Sequence, residues 1–217
     1  MNKLLLVSAT TPEIEPVLNF LGDFKTDKVN RFKLGGLQVD VLITGVGMVQ
    51  TAFELGKKVN QEFDFVIHAG VAGSFHKFSN GEVVIVARDR FSEFGAEDDK
   101  VFLSIDHLEL GMQEVEIEQP LNLNCFKDLP RVKGITVNTV HGNKTSIAKA
   151  VKRYDPDIET MESASFLLAA SEFGWMAAEV RGISNQVEKR NKGAWELKLA
   201  IKNLSAVLIA AIKELSV

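Results

Sequence analysis

The sequence predicts one three-layer α/β/α domain over residues 1–217, built around a mixed, largely parallel sheet. Two observations predict it. Short apolar runs typical of buried strands alternate along the chain with segments whose apolar residues recur at helical spacing. No internal repeat, low-complexity tract or linker interrupts this alternation, and 217 residues suffice for one domain with a sizeable core. Ligands of such sheets bind at the carboxyl ends of strands, so function is sought there.

The first quarter of the chain opens with a strand and a helix. Lys3–Ser8 is an apolar run that predicts a buried strand. Thr11–Leu21 has apolar residues at helical spacing, and its Thr-Pro start suits the cap and first position of a helix. A hairpin is predicted over residues 32–44, and a helix over about residues 48–60.

The middle of the chain has weaker signals. Phe63–Ala69 and Glu82–Ala87 predict two further buried strands, the first of which ends at Gly70. Arg88–Asp106 has few periodic signals and is predicted to be a long loop, a feature that is often functional in a compact domain. Leu108–Ile117 alternates between apolar and polar residues and predicts another strand.

The last third returns to a regular alternation of strands and helices. The predicted elements are a strand over Ile135–Val140, a helix over Thr145–Tyr154, a short strand over Ile158–Met161, a helix over Glu162–Phe173, a strand over Met176–Ile183 and an amphipathic helix over Trp195–Leu215. This order favours parallel strands joined by helices.

Composition excludes several classes of protein. Hydrophobic residues make up 46% of the chain and the net charge is −4, which does not fit a disordered chain. The single Cys rules out an internal disulfide and a Cys-built zinc or iron–sulfur site, and the four His show no metal-ligand spacing. The acidic balance argues against a nucleic-acid partner or an anionic membrane. We therefore expect no metal site.

Apolar segments are too short for targeting or membrane insertion. The run Leu4–Val7 is shorter than a secretory apolar region, and no stretch approaches the ~20 residues that span a bilayer. With its lone Cys, the chain is expected to be a cytoplasmic protein without a membrane partner.

Four segments with polar or glycine residues follow predicted strands. They are Ser8–Glu13, His68–Ser74 (HAGVAGS), Glu159–Ala164 (ETMESA) and Val180–Asn185 (VRGISN). Taken singly, each has an ordinary explanation: an acid complements a helix dipole, glycines make a tight turn, and Asn suits a turn. The glycines of residues 45–73 complete neither a phosphate loop nor a dinucleotide fingerprint.

Taken together and in chain order, these segments resemble the motifs of the nucleoside phosphorylase and nucleosidase superfamily. Three further segments, RFSEFGAEDD, TVNTVHG and RGISNQVEKRNKGAWELKLAIKNL, resemble the futalosine hydrolases within it. The resemblance implies a nucleoside phosphorylase-like fold and an N-glycosyl hydrolase that releases hypoxanthine from futalosine in a menaquinone route. It also implies a purine nucleoside as the small-molecule partner, no cofactor, and a homodimer or larger homo-oligomer.

The resemblance also assigns roles to matched residues. Glu13 would activate water, Glu162 would accept hydrogen bonds from the ribose hydroxyls, and Asn185 would bind the purine. The further substrate-binding residues are Val71, Ala72, Gly73, Met161, Ser184 and Arg181. Arg181 has an equally good alternative as a structural ion-pair residue.

Residue chemistry narrows the reaction. The segment around Glu13 has no Arg to hold phosphate, and its carboxylate would repel that anion, which favours hydrolysis over phosphorolysis. Adenine-releasing nucleosidases carry Asp where Asn185 stands. An amide cannot deliver a proton at neutral pH, but it can donate to a 6-oxo group and accept with its oxygen. Asn185 therefore favours a 6-oxopurine, which fits inosine and guanosine as well as futalosine.

Several alternatives stay open. One is a methylthioadenosine/S-adenosylhomocysteine nucleosidase, against which Asn185 counts, or another purine nucleosidase. Another is a non-catalytic nucleoside-binding protein, against which Glu13 and Glu162 count. A run of cations has two explanations: it is simply solvated, or it attracts an acidic tail of the substrate. Its members are Lys189, Arg190 and Lys192. Trp195 and the four His, His141 included, are expected to be structural. The predicted loop 88–106, or a partner subunit, is the candidate wall around the 5′ side of the nucleoside. An aromatic side chain that would cover the purine base is not evident in the sequence.

Overall fold

Eleven strands and five α-helices alternate in the computed structural model, which describes residues 1–217. The strands are β1 (Asn2–Ser8), β2 (Arg31–Leu34), β3 (Leu37–Ile43), β4 (Phe65–Ser74), β5 (Val83–Phe91), β6 (Gly95–Asp98), β7 (Val101–Ser104), β8 (Glu114–Glu116), β9 (Arg131–Thr136), β10 (Ile158–Thr160) and β11 (Ala177–Gln186). The helices are α1 (Glu15–Leu21), α2 (Met48–Gly56), α3 (Lys144–Tyr154), α4 (Ser163–Glu172) and α5 (Leu197–Leu215). No helix combines the length and the apolar character that crossing a membrane requires.

Nine of the strands form one mixed sheet. Its order is β10-β9-β5-β11-β4-β1-β3-β2, with β8 attached to β5, while β6 and β7 form a separate hairpin. Strands β3, β1, β4 and β11 are parallel to their neighbours in that order. Strand β10 also pairs with β4, with Ile158 opposite Ser74 and Glu159 opposite Gly73. This last pairing closes β4, β11, β5, β9 and β10 into a ring at one end of the sheet.

Strand β1 shows how the sheet divides the core in two. Leu4 and Leu6 pack in the cluster that contains residues of α1 and α5, whereas Leu5 and Val7 pack with residues of α2 and α4. Successive side chains of a strand point to opposite faces, so one apolar run fills both layers. Each fully buried Leu contributes roughly 1.5–3 kcal/mol of transfer free energy. The predicted three-layer α/β/α architecture with a mixed sheet is confirmed.

The glycine segment is the main local departure from the prediction. The predicted turn at Gly70 is wrong, because β4 continues to Ser74. The backbone of Gly70–Ser74 is paired with β11 along one edge, and its end is paired with β10 along the other. Gly70 has another reason to lack a side chain, since a Cβ there would collide with the guanidinium of Arg181.

Three other predicted segments also differ. The predicted loop 88–106 is wrong: β5 continues to Phe91, and the exposed hairpin of β6 and β7 follows. Of the strand predicted over Leu108–Ile117, only β8 forms, and the helix predicted to reach residue 60 ends at Gly56. The polar composition of the hairpin conceals its strands, because β6 is exposed throughout and most of β7 is only half-buried.

Candidate active site

A cavity of about 630 Å³ opens where β1, β4 and β11 reach their carboxyl ends and β10 meets β4. Of the nine residues predicted for the site, eight line this cavity. They are Glu13, Val71, Ala72, Gly73, Met161, Glu162, Ser184 and Asn185. Four distant segments of the sequence therefore meet at one place, as the strand-end argument predicts.

Glu13 is held at the start of the segment that follows β1. Its Oε2 accepts hydrogen bonds from the backbone N–H of Thr10 at 3.0 Å and from the Thr10 hydroxyl at 2.8 Å. Its Oε1 accepts from the backbone N–H of Val71 at 3.1 Å. A capping arrangement thus fixes one carboxylate oxygen, while the other reaches across to β4 at the cavity wall.

Glu162 stands immediately before α4 and is buried. Its Oε1 accepts from the backbone N–H of Gly47 at 2.9 Å, and its Oε2 lies 3.6 Å from Nη1 of Arg181. Gly47 has a φ of 102°, a conformation that favours glycine. Gly47 therefore holds Glu162 from the loop after β3, a contact between residues 115 positions apart.

Arg181 lies beneath the cavity and does not line it. Its fully buried guanidinium donates from Nε to Glu179 at 2.5 Å, and Glu179 also lies 2.7 Å from His68 Nδ1 and accepts from the Ser163 hydroxyl at 2.8 Å. Burial opposes the charge on Glu179, but Arg181 and His68 outweigh it and lower its pKa. Arg181 therefore does not reach the substrate cavity. Its position fits the alternative prediction, that of a structural ion-pair residue.

A second buried group supports the start of α4. The hydroxyl of Thr136 donates to Oδ1 of Asp89 at 2.7 Å and accepts from the backbone N–H of Ala164 at 2.8 Å. Asp89 is fully buried, and its Oδ2 has no hydrogen-bond partner. Burial raises the pKa of Asp89 well above its ordinary value, against the opposing hydrogen bond from Thr136.

Asn185 lies beside a β-bulge, where the register between β11 and β4 shifts after Ile183. Its Nδ2 donates to the backbone oxygen of Gln186 at 3.0 Å, and its Oδ1 accepts from the Ser184 hydroxyl at 2.9 Å. Since the oxygen of Gln186 can only accept, the atom facing it is the amide nitrogen. The second hydrogen of Nδ2 makes no bond within the chain. Gly73 leaves space beside it, since a Cβ there would lie 3.1 Å from Nδ2.

Sequence reasoning missed a His–Glu pair on the cavity wall. Glu159 is buried, and its Oε1 accepts from the backbone N–H of His141 at 3.0 Å while its Oε2 lies 2.6 Å from the imidazole Nδ1. The hydrogen bond to Glu159 raises the pKa of His141, against the effect of burial. The one available signal was that His141, like the other site residues, follows a predicted strand.

The segment before α5 and the first turns of α5 form a further part of the wall. Trp195, expected to be a packing residue, lines the cavity together with Leu197 and Ile201. The guanidinium of Arg190 lies 5.4 Å from the centroid of the Trp195 ring. Of the three cations considered for an acidic substrate tail, only Arg190 lines the cavity. No residue of 88–106 lines it, so the expectation that this segment walls one side is wrong within a single chain.

A family profile described as the phosphorylase superfamily matches residues 3–213. The chain belongs to the phosphorylase superfamily. Two similar curated relatives are futalosine hydrolases. That of Acidothermus cellulolyticus is 27% identical over 180 residues, which cover 79% of this chain and 74% of the relative. That of Thermus thermophilus is 26% identical over 181 residues, which cover 80% of each chain.

Solved structures share the fold. A futalosine hydrolase of Helicobacter pylori matches with a TM-score of 0.81 at 16% identity, covering 98% of both chains. A 5′-methylthioadenosine/S-adenosylhomocysteine nucleosidase of Colwellia psychrerythraea, in complex with adenine, matches with a TM-score of 0.76 at 19% identity, covering 99% of this chain and 96% of that one.

Proposed function

We propose that this chain hydrolyses the N-glycosidic bond of futalosine and releases hypoxanthine, as a step of menaquinone biosynthesis. Membership of the phosphorylase superfamily and the similarity to futalosine hydrolases of two bacteria support this proposal. The observation that carries it is the cavity itself, in which Glu13, Glu162 and Asn185 stand together. These three groups match the three parts of the reaction: water, ribose and purine.

Glu13 acts on water. Its carboxylate is anchored by Thr10 and Val71 and faces the cavity, so it can take the proton of a water that attacks C1′ of the ribose. No Arg or Lys from the loop after β1 lines the cavity, and Glu13 would repel a phosphate there. Water is therefore the nucleophile, and the reaction is hydrolysis.

Glu162 binds the ribose, and Met161 packs against it. One hydrogen bond from Gly47 and the ion pair with Arg181 fix the Glu162 carboxylate, and each of its oxygens can still accept a further hydrogen bond. The hydrogen bonds from the ribose hydroxyls to this fixed carboxylate become stronger as positive charge develops on the sugar ring.

Asn185 selects a 6-oxopurine. Its oriented amide offers a hydrogen from Nδ2, and the 6-oxo oxygen and N7 of a 6-oxopurine nucleoside are both acceptors. The 6-amino group of adenine is itself a donor, so it would face the Nδ2 hydrogen without forming a hydrogen bond. This mismatch makes a methylthioadenosine nucleosidase the weaker alternative. A site whose polar groups match one analogue can reject another by as much as ~10⁴–10⁵-fold.

The 5′ side of the substrate meets Arg190 and Trp195. Arg190 is a cation on the cavity wall and suits the carboxylate of futalosine, while the Trp195 ring offers an apolar face beside it. Lys189 and Lys192 stand outside the cavity and are not needed for this contact.

A second copy of the chain covers the apolar surface beside this cavity. On α2, Phe53 is 65% exposed, and Val46 just before α2 lines the active cavity and is 52% exposed. A neighbouring depression of about 470 Å³ is lined by Met48, Phe91, Phe94, Met112, Val115 and Leu168, with Glu93 and Asn138. Exposed apolar surface of this kind marks an interaction site, and it runs to the mouth of the cavity. The partner copy would therefore add a wall at the mouth of the cavity, which residues 88–106 of the same chain do not reach.

Sedimentation equilibrium tests the assembly. Phe53→Glu and Met112→Glu should give a monomer, whereas Val29→Glu, at an exposed position that does not line this depression, should leave the assembly unchanged. A wild-type monomer at micromolar concentration would contradict the assembly and leave the reaction unaffected.

A substrate panel without phosphate tests the reaction. Futalosine, inosine and methylthioadenosine are incubated with the chain, and the released base is identified by chromatography. We expect hypoxanthine from futalosine at the highest kcat/KM and no stimulation by added phosphate. Faster release of adenine from methylthioadenosine, or dependence on phosphate, would overturn the proposal.

A further inference from the structure

Cleavage of a purine nucleoside requires a group that neutralises the departing base. The bond electrons remain on the purine when the C1′–N9 bond breaks, so the leaving group is an anion unless a proton arrives. Asn185 can donate a hydrogen bond but has no proton to release near neutral pH. The three residues assigned to water, ribose and purine therefore lack an acid.

His141 has the chemistry of that acid. It is the only imidazole among the residues that line the cavity. Its Nδ1 is bound to Glu159, which is buried and has both oxygens engaged by His141. Nε2 makes no hydrogen bond within the chain. A protonated imidazole held in this way has one N–H left, and that N–H belongs to a residue on the cavity wall.

The strand register places this pair opposite Asn185. Glu159 on β10 is paired with Gly73 on β4, and Gly73 is paired with Asn185 on β11. Two interstrand spacings separate the backbones of Glu159 and Asn185, roughly 10 Å. The residue between them has no side chain. A flat purine over Gly73 would therefore lie between the Asn185 amide and the Glu159–His141 pair.

We propose that His141, held by Glu159, is the catalytic acid that protonates the departing purine; this inference rests on the proposed function. The C1′–N9 bond breaks and its electron pair stays on the purine, while the water oxygen bonds to C1′ and its proton passes to Glu13. The proton on Nε2 of His141 passes to a purine ring nitrogen. Glu13 then loses its proton to solvent and His141 regains one, which restores the resting charges.

Charges around His141 favour its protonated form. Glu159 on β10 and Glu93 after β5 both raise its pKa. A second cleft, lined by His141 and by residues of α3, contains the charged side chains of Lys149, Arg153 and Glu97. The charged groups that face His141 within the active-site cavity are Glu13, Glu162, Glu188 and Arg190. The edge of Phe75 packs against the imidazole, with ring centroids 6.4 Å apart, and restricts its orientation.

The test compares two leaving groups. His141→Gln should lower kcat/KM for the purine nucleoside at least ~10²-fold, the usual scale of general acid catalysis. It should change kcat/KM for p-nitrophenyl β-D-ribofuranoside only a few-fold, because p-nitrophenolate departs without a proton. The matched control is His107→Gln, at an exposed position outside the cavity. Equal losses with both substrates would assign His141 a structural role and overturn the inference.

The pH profile gives a second, independent reading. Wild-type kcat/KM for the purine nucleoside should fall as the pH rises through the pKa of His141. Glu159→Gln should move this limb to lower pH, and His141→Gln should abolish it. An unchanged limb in His141→Gln would overturn the inference. A wild-type chain that cleaves no purine nucleoside would instead overturn the proposed function, so the two failures are distinguishable.

Discussion

The backbone N–H of Val71 donates a 3.1 Å hydrogen bond to Oε1 of Glu13, joining residues 58 positions apart. Val71 lies within β4, where the strand continues past the expected turn. The extension of β4 therefore holds the carboxylate that follows β1, and the site depends on backbone pairing as much as on side chains.

Replacing Glu13 separates catalysis from binding. Glu13→Gln keeps the size of the side chain and an oxygen that can accept from Thr10, but an amide is a poor base. We expect kcat for futalosine to fall at least ~10²-fold while the Kd for hypoxanthine, measured by calorimetry, stays within a few-fold. Glu15→Gln, an exposed neighbour, is the control and should keep wild-type kcat. A wild-type rate in Glu13→Gln would remove Glu13 from its proposed role.

Replacing Asn185 by Asp should change the preferred base. A carboxylate cannot donate to a 6-oxo group but accepts from a 6-amino group. We expect the ratio of kcat/KM for futalosine to kcat/KM for methylthioadenosine to fall at least ~10²-fold in Asn185→Asp. Asn60→Asp makes the same charge change at an exposed position and should leave the ratio unchanged. If the ratio were preserved in Asn185→Asp, the base would not contact this residue.

Asp89 should make stability depend on pH. Because burial raises its pKa in the folded state, its contribution to stability is fully present below its unfolded pKa of about 3.9 and is lost as the pH rises through the folded pKa. Asp89→Asn removes this titration. Relative to wild type, its free energy of unfolding in urea should therefore increase from about pH 4 to about pH 8. The exposed control Asp128→Asn should show no such trend, and a flat difference for Asp89→Asn would refute the prediction.

The buried pair of Arg181 and Glu179 should couple strongly. Arg181→Met leaves the fully buried Glu179 without its main cation, which costs about 3–5 kcal/mol of unfolding free energy. In the double variant Arg181→Met/Glu179→Gln, the loss should be smaller than the sum of the two single losses. Urea denaturation measures all three, with the exposed Arg131→Met as the control. Strict additivity would show that the two side chains are energetically independent.

Strand ends made most of the site predictable. Glu13, Glu162 and Asn185 each follow an apolar run, and a parallel sheet gathers such positions at one edge. The layers were predictable for the same reason, because alternation along β1 specifies two buried faces. The layers follow from local periodicity alone, whereas the choice of these three residues also rests on the resemblance to the nucleosidase superfamily.

Contacts between distant elements were not predictable. Gly70 signals a turn by its conformational freedom, yet pairing with β11 on the adjacent edge keeps the chain extended. Glu159 and His141 meet only because β10 closes the ring against β4, and no spacing in the sequence reports that closure. Trp195 begins an amphipathic segment, and periodicity alone does not distinguish a core face from a cavity wall.

The bulge after Ile183 has an evolutionary consequence. It sets the position of residue 185 through the backbone, so the side chain there can change without rebuilding the wall. Asn and Asp differ by one nucleotide in their codons and are nearly equal in shape. Two lineages with opposite purine preferences could therefore be separated by a single point mutation, while the rest of the cavity is inherited unaltered.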